Sequence, residues 1–126
     1  MEDESKKVER KPDSSMKVVQ KYVDMAKYVY IILRNFPRSE KYTLAADIRR
    51  DLWEAGTMLE RASVVPAKSE KFRLLEQADM KLSELKFLIR MGMELEFVPF
   101  DKYTNFSGYV TEVGRMLGGW LKFVRQ

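Results

Sequence analysis

The chain has 126 residues, 45% hydrophobic and 33% charged, with a formal net charge of +4; that length fits one domain around one core, with a charged helical surface. It holds no Cys and no His. This excludes disulfides, thiolate and histidine metal sites, Ser-His triads and imidazole acid–base catalysis, and it is compatible with a reducing compartment. The opening Met1-Glu2-Asp3-Glu4-Ser5-Lys6-Lys7 lacks the apolar core of a secretory signal, and no run of about 18 apolar residues exists, so a cytoplasmic protein without a membrane segment is expected.

Residues 1–13 carry Lys6, Lys7, Arg10 and Lys11 against Glu2, Asp3, Glu4, Glu9 and Asp13, which leaves a net +5 on the rest. So charged a stretch cannot offset its ordering entropy, and a disordered tail is expected there. A bundle domain then covers residues 14–126, with Ser14 or Ser15 as the first cap.

The first helix is predicted over 15–34, with Val19, Tyr22, Val23, Ala26, Val29, Tyr30 and Leu33 at 3-4 spacing. Its second half, Tyr28-Val29-Tyr30-Ile31-Ile32-Leu33, is apolar nearly all round, the mark of a helix buried on more than one side. Asn35-Phe36-Pro37 ends it, because the residue before a proline avoids the helical region. A second helix is predicted over 38–62, with Leu44, Ile48, Leu52, Ala55, Leu59 and Ala62 inside and Glu40, Asp47, Arg50, Glu54 and Arg61 outside. After Ser63-Val64-Val65-Pro66 a third runs over 67–93, close to ~40 Å long. Its stripe is Phe72, Leu75, Ala78 or Asp79, Leu82, Leu85, and Leu88 or Ile89. The fourth starts at 99–101 and reaches 124 on Phe106, Val110, Val113, Leu117, Trp120 or Leu121, and Val124. No segment alternates with period two. Four helical patterns joined by short Pro-marked connectors predict an all-α, antiparallel up-down-up-down four-helix bundle.

The last helix holds an anomaly. Gly114, Gly118 and Gly119 interrupt an apolar helical pattern, each at a cost of roughly 0.8–1 kcal/mol against alanine. Gly114 and Gly118 are four apart and share a face, which suits close approach by another backbone, within the subunit or from a neighbour.

Catalytic patterns are missing. Asp47 with Asp51, and Glu94 with Glu96, are the candidate carboxylate pairs. Arg49 and Arg50 beside the first pair make it a surface ion-pair network, and a di-iron bundle needs histidines. Asp79 lies close to the apolar stripe and is expected to hold an arginine such as Arg49 or Arg90 at an interface. The glycines follow no strand, so they make no phosphate loop. No enzyme, metal, cofactor or small-molecule substrate is expected. What remains is charge and apolar surplus. Basic residues recur along the last three helices, and their phosphate contacts would be independent of base sequence and sensitive to salt. Tyr28, Ile31, Ile32, Trp53, Met58, Phe87, Met91, Phe97, Met116 and Phe123 fall beside or beyond the stripes, more apolar surface than a monomer exposes, so a homo-oligomer is expected.

Phe36-Pro37-Arg38-Ser39-Glu40-Lys41-Tyr42-Thr43-Leu44 with Ile48-Arg49-Arg50 resembles the second-helix opening of the four-helix-bundle proteins related to the 23S rRNA intervening-sequence protein. Those proteins continue with an Asn-Ile-Ala-Glu-Gly-like stretch, where this chain has Asp51-Leu52-Trp53-Glu54-Ala55-Gly56-Thr57-Met58. Ala78-Asp79, Leu82, Leu85, Arg90 and above all Glu112-Val113-Gly114-Arg115-Met116-Leu117-Gly118-Gly119-Trp120 resemble instead the accessory variability determinant (Avd) of diversity-generating retroelements, over residues 16–124. That resemblance implies a homopentameric barrel of four-helix bundles that has no catalytic residues. It implies binding to the retroelement's reverse transcriptase and template RNA, in support of mutagenic cDNA synthesis. Arg38, Lys41, Arg49, Arg50, Lys86, Arg90 and Arg115 are the expected nucleic-acid or polymerase contacts, and Tyr30, Trp53, Gly114, Gly118 and Trp120 the expected packing or subunit contacts. The alternative is a purely structural homo-oligomer of the intervening-sequence type.

Overall fold

Four amphipathic helices, each burying one stripe, account for the fold seen in a computed structural model of the chain. They are α1 (Glu2–Leu33), α2 (Leu44–Val64), α3 (Lys68–Glu94) and α4 (Phe100–Arg125), with a short 3-10 turn at Arg38–Glu40 and no strand among the described residues. The backbone is described for residues 2–126 and side chains for residues 15–126; α1 starts at Glu2 and not at the predicted residue 15, and the side chains of the tail expected over 1–13 lie outside the described residues.

Each helix packs against two others, in the closed order α1–α2–α3–α4 and back to α1. Between α1 and α2, the Tyr22 hydroxyl donates to the Leu52 carbonyl at 2.6 Å, and the Tyr30 and Trp53 rings lie 6.2 Å apart. Between α2 and α3, Lys71 Nζ donates to the Ala62 carbonyl at 2.6 Å, while Lys81 reaches Glu54 at 2.8 Å. Between α1 and α4, the Tyr28 and Tyr109 rings sit 5.4 Å apart, and Asn105 Nδ2 donates to the Tyr28 hydroxyl at 3.0 Å. Between α3 and α4, the Arg125 guanidinium stands 5.6 Å over the Phe72 ring.

The predicted stripes are met most closely in α4, where Phe106, Val110, Val113, Leu117, Trp120 and Val124 are all buried. In α3 the open choices resolve to Ala78 and Ile89, with Leu74 and Gly92 also buried. In α1 the buried line is Val18, Tyr22, Met25, Val29 and Ile32, while Val23 is exposed. The predicted α1 stripe is therefore rotated towards α2. Helix α1 is apolar on two sides, and periodicity alone does not say which side turns inward.

The second helix starts later than predicted. Pro37 is extended (φ −65°, ψ 151°), residues 38–40 form one tight turn, and Thr43 (φ −116°, ψ −105°) breaks the helical run before Leu44. The Glu40 carboxylate accepts from the Thr43 hydroxyl at 2.6 Å and from the Leu44 N–H at 3.4 Å, serving the start of α2 from outside it. The expected boundary residue Phe36 closes the same end of the bundle. Its ring lies 5.5 Å from that of Phe97 and lines the space a side chain at Gly92 would need. The α3–α4 connector folds back through Glu96 (φ 67°), so that the Phe97 and Val98 N–H groups both donate to the Gly92 carbonyl, at 2.8 and 3.2 Å.

Candidate functional site

The expected cationic contacts fall into two groups. Arg38 lies on the 3-10 turn, Lys41 just after it, Arg49 and Arg50 on the first half of α2, and Lys86 and Arg90 on the second half of α3. A groove lined by Asp47, Arg50, Asp51, Ser83, Glu84, Phe87 and Leu88 joins those two half-helices. Arg49 Nη2 donates to the Lys41 carbonyl at 2.8 Å, tying α2 to the turn, and Lys41 Nζ stands 5.6 Å over the Tyr42 ring. Arg50 pairs with Asp47 at 3.0 Å and Arg90 with Glu94 at 3.8 Å, both along one helix and in water, pairs of little energetic weight. Among the described residues no ion pair engages Arg38 or Lys86.

Arg115 belongs elsewhere, on the exposed face of α4, where its guanidinium grips Glu112 of the same helix through two nitrogens. That hydrogen bond and the adjacent charge hold the Glu112 carboxyl below, and the Arg115 guanidinium above, their ordinary ranges.

The expected packing residues also divide. Trp120 is buried in its own bundle. Tyr30 and Trp53 form a ring pair at the α1–α2 seam, with Trp53 still 63% exposed. A Cβ added at Gly114 or Gly118 would meet nothing within 4 Å, and the same holds for Gly108 and Gly119. Close packing inside the subunit is therefore not why these glycines stand there.

The feature missed by sequence reading is a charge cluster around the buried Asp51 on the α2–α3 seam. Asp51, expected in a surface network with Asp47, is buried, with its side chain 3% exposed. Lys81 Nζ sits 3.6 Å from Asp51 Oδ1, 2.8 Å from Glu54 Oε1 and 3.7 Å from Glu84 Oε1. Burial, then the neighbouring Glu84 carboxyl, push the Asp51 pKa up. The hydrogen bond between Lys81 and Glu54 holds Glu54 down and Lys81 up. Burial and the Asp51 charge raise the Tyr22 phenol. The spacing did carry a signal: Asp51 falls three after Ile48 and four before Ala55, on the apolar stripe itself. Asp79, singled out in its place, is exposed, and among the described residues no arginine pairs with it. Ala78 takes the inward position and turns Asp79 out.

Among the described residues no helix is long and apolar enough to cross a membrane, and no cluster of three or more acidic side chains could hold a metal ion. The geometry thus presents a mixed end surface and an open glycine face. The bAvd-like family profile matches residues 16–124. The chain belongs to the bAvd-like family. The match spans all four helices of this bAvd-like chain, including the Gly114–Trp120 ending that carried the resemblance. A crystal structure of a protein of unknown function from the S23 ribosomal protein family of Bacteroides thetaiotaomicron is similar to it, with a TM-score of 0.77 at 14% identity, covering 86% of this chain and 98% of that one. At that identity the likeness speaks for the shared fold. Comparison with curated proteins gave no match.

Proposed function

We propose that the chain is a non-enzymatic, cytoplasmic accessory protein of a diversity-generating retroelement, binding the element's reverse transcriptase and template RNA in support of mutagenic cDNA synthesis. The observation that carries this is membership of the bAvd-like family over residues 16–124. In this reading the bundle is antiparallel, up-down-up-down, and five copies close into a barrel. The order of contacts supports the antiparallel course: Ala62 lies by Lys71 while Glu54 lies by Lys81, and Tyr28 lies by Asn105 while Lys21 lies over the ring of Tyr109. Gly114 and Gly118 are the points where a neighbouring subunit comes close, which their open surroundings within the subunit support. Trp53 and Tyr30 serve the same assembly. Arg38, Lys41, Arg49, Arg50, Lys86, Arg90 and Arg115 meet the polymerase or RNA.

Co-purification with a reverse transcriptase encoded beside it tests the reading. Retention of the polymerase through gel filtration is the expected outcome, and a chain with no such neighbour and no retained polymerase refutes it. The second reading, a purely structural homo-oligomer, draws on the fold shared with the S23-family structure. RNA retention at about 50 and about 200 mM salt separates the two, since phosphate contacts weaken steeply over that range. No retention at the lower salt favours the structural protein.

A further inference from the structure

Three large apolar side chains stand in water at one end of the bundle: Tyr42 is 83%, Phe100 73% and Leu95 50% exposed. They stand on or beside the connectors 34–43 and 95–99, which the Phe36–Phe97 ring contact at 5.5 Å brings together. The charge around them has two signs. The first lip exposes Arg34, Arg38 and Lys41, and its one acid, Glu40, is engaged by Thr43 and the Leu44 N–H. The second lip exposes Glu94, Glu96 and Asp101 around Leu95 and Phe100, with Glu94 in reach of Arg90.

A polyanion needs a positive track, and three carboxylates on the second lip interrupt one here. Tyr42 and Phe100 have flat faces on which bases could stack, but Leu95 does not, and Phe100 stands beside Asp101 and not on a positive track. An apolar centre with charged edges of both signs is instead the anatomy of a protein–protein interface. We propose that this connector end docks a protein surface, acidic where it meets Arg34, Arg38 and Lys41 and basic where it meets Glu96 and Asp101, and that the occupant is the reverse transcriptase rather than the RNA. The inference rests on the partnership proposed above and divides its cationic residues: Arg38 and Lys41 serve the polymerase.

The test uses the full chain and two variants, Tyr42→Ser/Leu95→Ser/Phe100→Ser and Arg38→Glu/Lys41→Glu. Affinity is measured for the immobilised polymerase and, separately, for a labelled single-stranded RNA. All five side chains are exposed, so melting midpoints should match wild type, and the charge variant leaves the apolar residues untouched. Both variants should lose polymerase affinity by about tenfold or more, the effect of removing interface anchors. The apolar variant should keep the wild-type affinity for RNA. Polymerase binding unchanged in both variants overturns the docking surface while leaving the partnership standing. A parallel loss of RNA affinity in the apolar variant reassigns the end to nucleic acid. A wild-type chain that does not bind the polymerase overturns both proposals.

Discussion

Six glycines divide between two environments. Gly56 and Gly92 face inward. A Cβ at Gly56 would come within 3.0 Å of the Tyr22 ring, and one at Gly92 within 3.0 Å of both Phe36 and Val98. Gly108, Gly114, Gly118 and Gly119, all on α4, face open space. The first pair is explained by the chain's own packing, and the four on α4 are not. Each still carries a helix-propensity cost of roughly 0.8–1 kcal/mol, so within one subunit they are a liability. The contrast sorts the molecule into a closed inner face, where residue choice answers to the fold, and an outer α4 face, where the chain's own packing does not account for it.

The inner face should be the least tolerant. Leu117, between Gly114 and Gly118 in sequence, is fully buried. Leu117→Ala should cost about 2–5 kcal/mol, the transfer loss plus the cavity left behind. Denaturant unfolding would read this as a lower midpoint, and a change below about 1 kcal/mol would mean that α4 is not held as its burial implies.

Gly92→Ala comes next. The substitution gains helix propensity, yet it drives a methyl against the Phe36 ring and Val98 at the end where both connectors meet. Overpacking of about 1–3 kcal/mol is set against a gain of roughly 1 kcal/mol, so a net loss of up to about 2 kcal/mol is expected. A more stable variant would show that Phe36 can move aside and would blur the division between the two sets of glycines.

The same division governs what was legible in the amino-acid sequence. The α4 stripe was readable residue by residue because Phe106 to Val124 is apolar on one side only. In α1, Met25 and Ile32 fall off the expected stripe because Val23, Tyr30 and Ile31 make the other side apolar too. The start of α2 was set by backbone at Pro37 and Thr43 and by the Glu40 carboxylate, none of which a periodicity reports. Asp51 sat on the stripe, but its aspartate identity argued for the surface, and only Lys81 from another helix explains its place. For the site, Gly114 and Gly118 stood out as an energetic anomaly, whereas the grouping of Tyr42, Leu95 and Phe100 depends on two connectors distant in sequence meeting through Phe36.

Asp51 tests the inner face by charge. Its carboxyl is held above the ordinary aspartate range, first by burial and then by Glu84, against the pull of Lys81 and Arg50. A raised carboxyl favours folding when protonated, so its contribution is complete below the unfolded pKa and is lost as pH rises through the folded value. Asp51→Asn removes that loss, and Lys81 keeps Glu54 at 2.8 Å. The melting midpoint of the variant relative to wild type should therefore climb as pH rises from the acid range to neutrality. A difference that shrinks with pH would mean the ion pair with Lys81 outweighs the burial.

The outer face gives the smallest effect on the single chain and the most telling one on assembly. Gly118→Ala and Gly114→Ala each place a methyl where nothing lies within 4 Å. Each should stabilise the isolated subunit by roughly 0.8–1 kcal/mol, through helix propensity alone. If a neighbouring subunit approaches this face closely, the same methyls must hold it off, and sedimentation should show smaller species at equal concentration while the subunit melts higher. The two readouts moving in opposite directions is the signature of glycines placed for a contact outside the chain. Were both to rise together, the α4 face would be open in the assembly as well, and the glycines would owe their place to another partner.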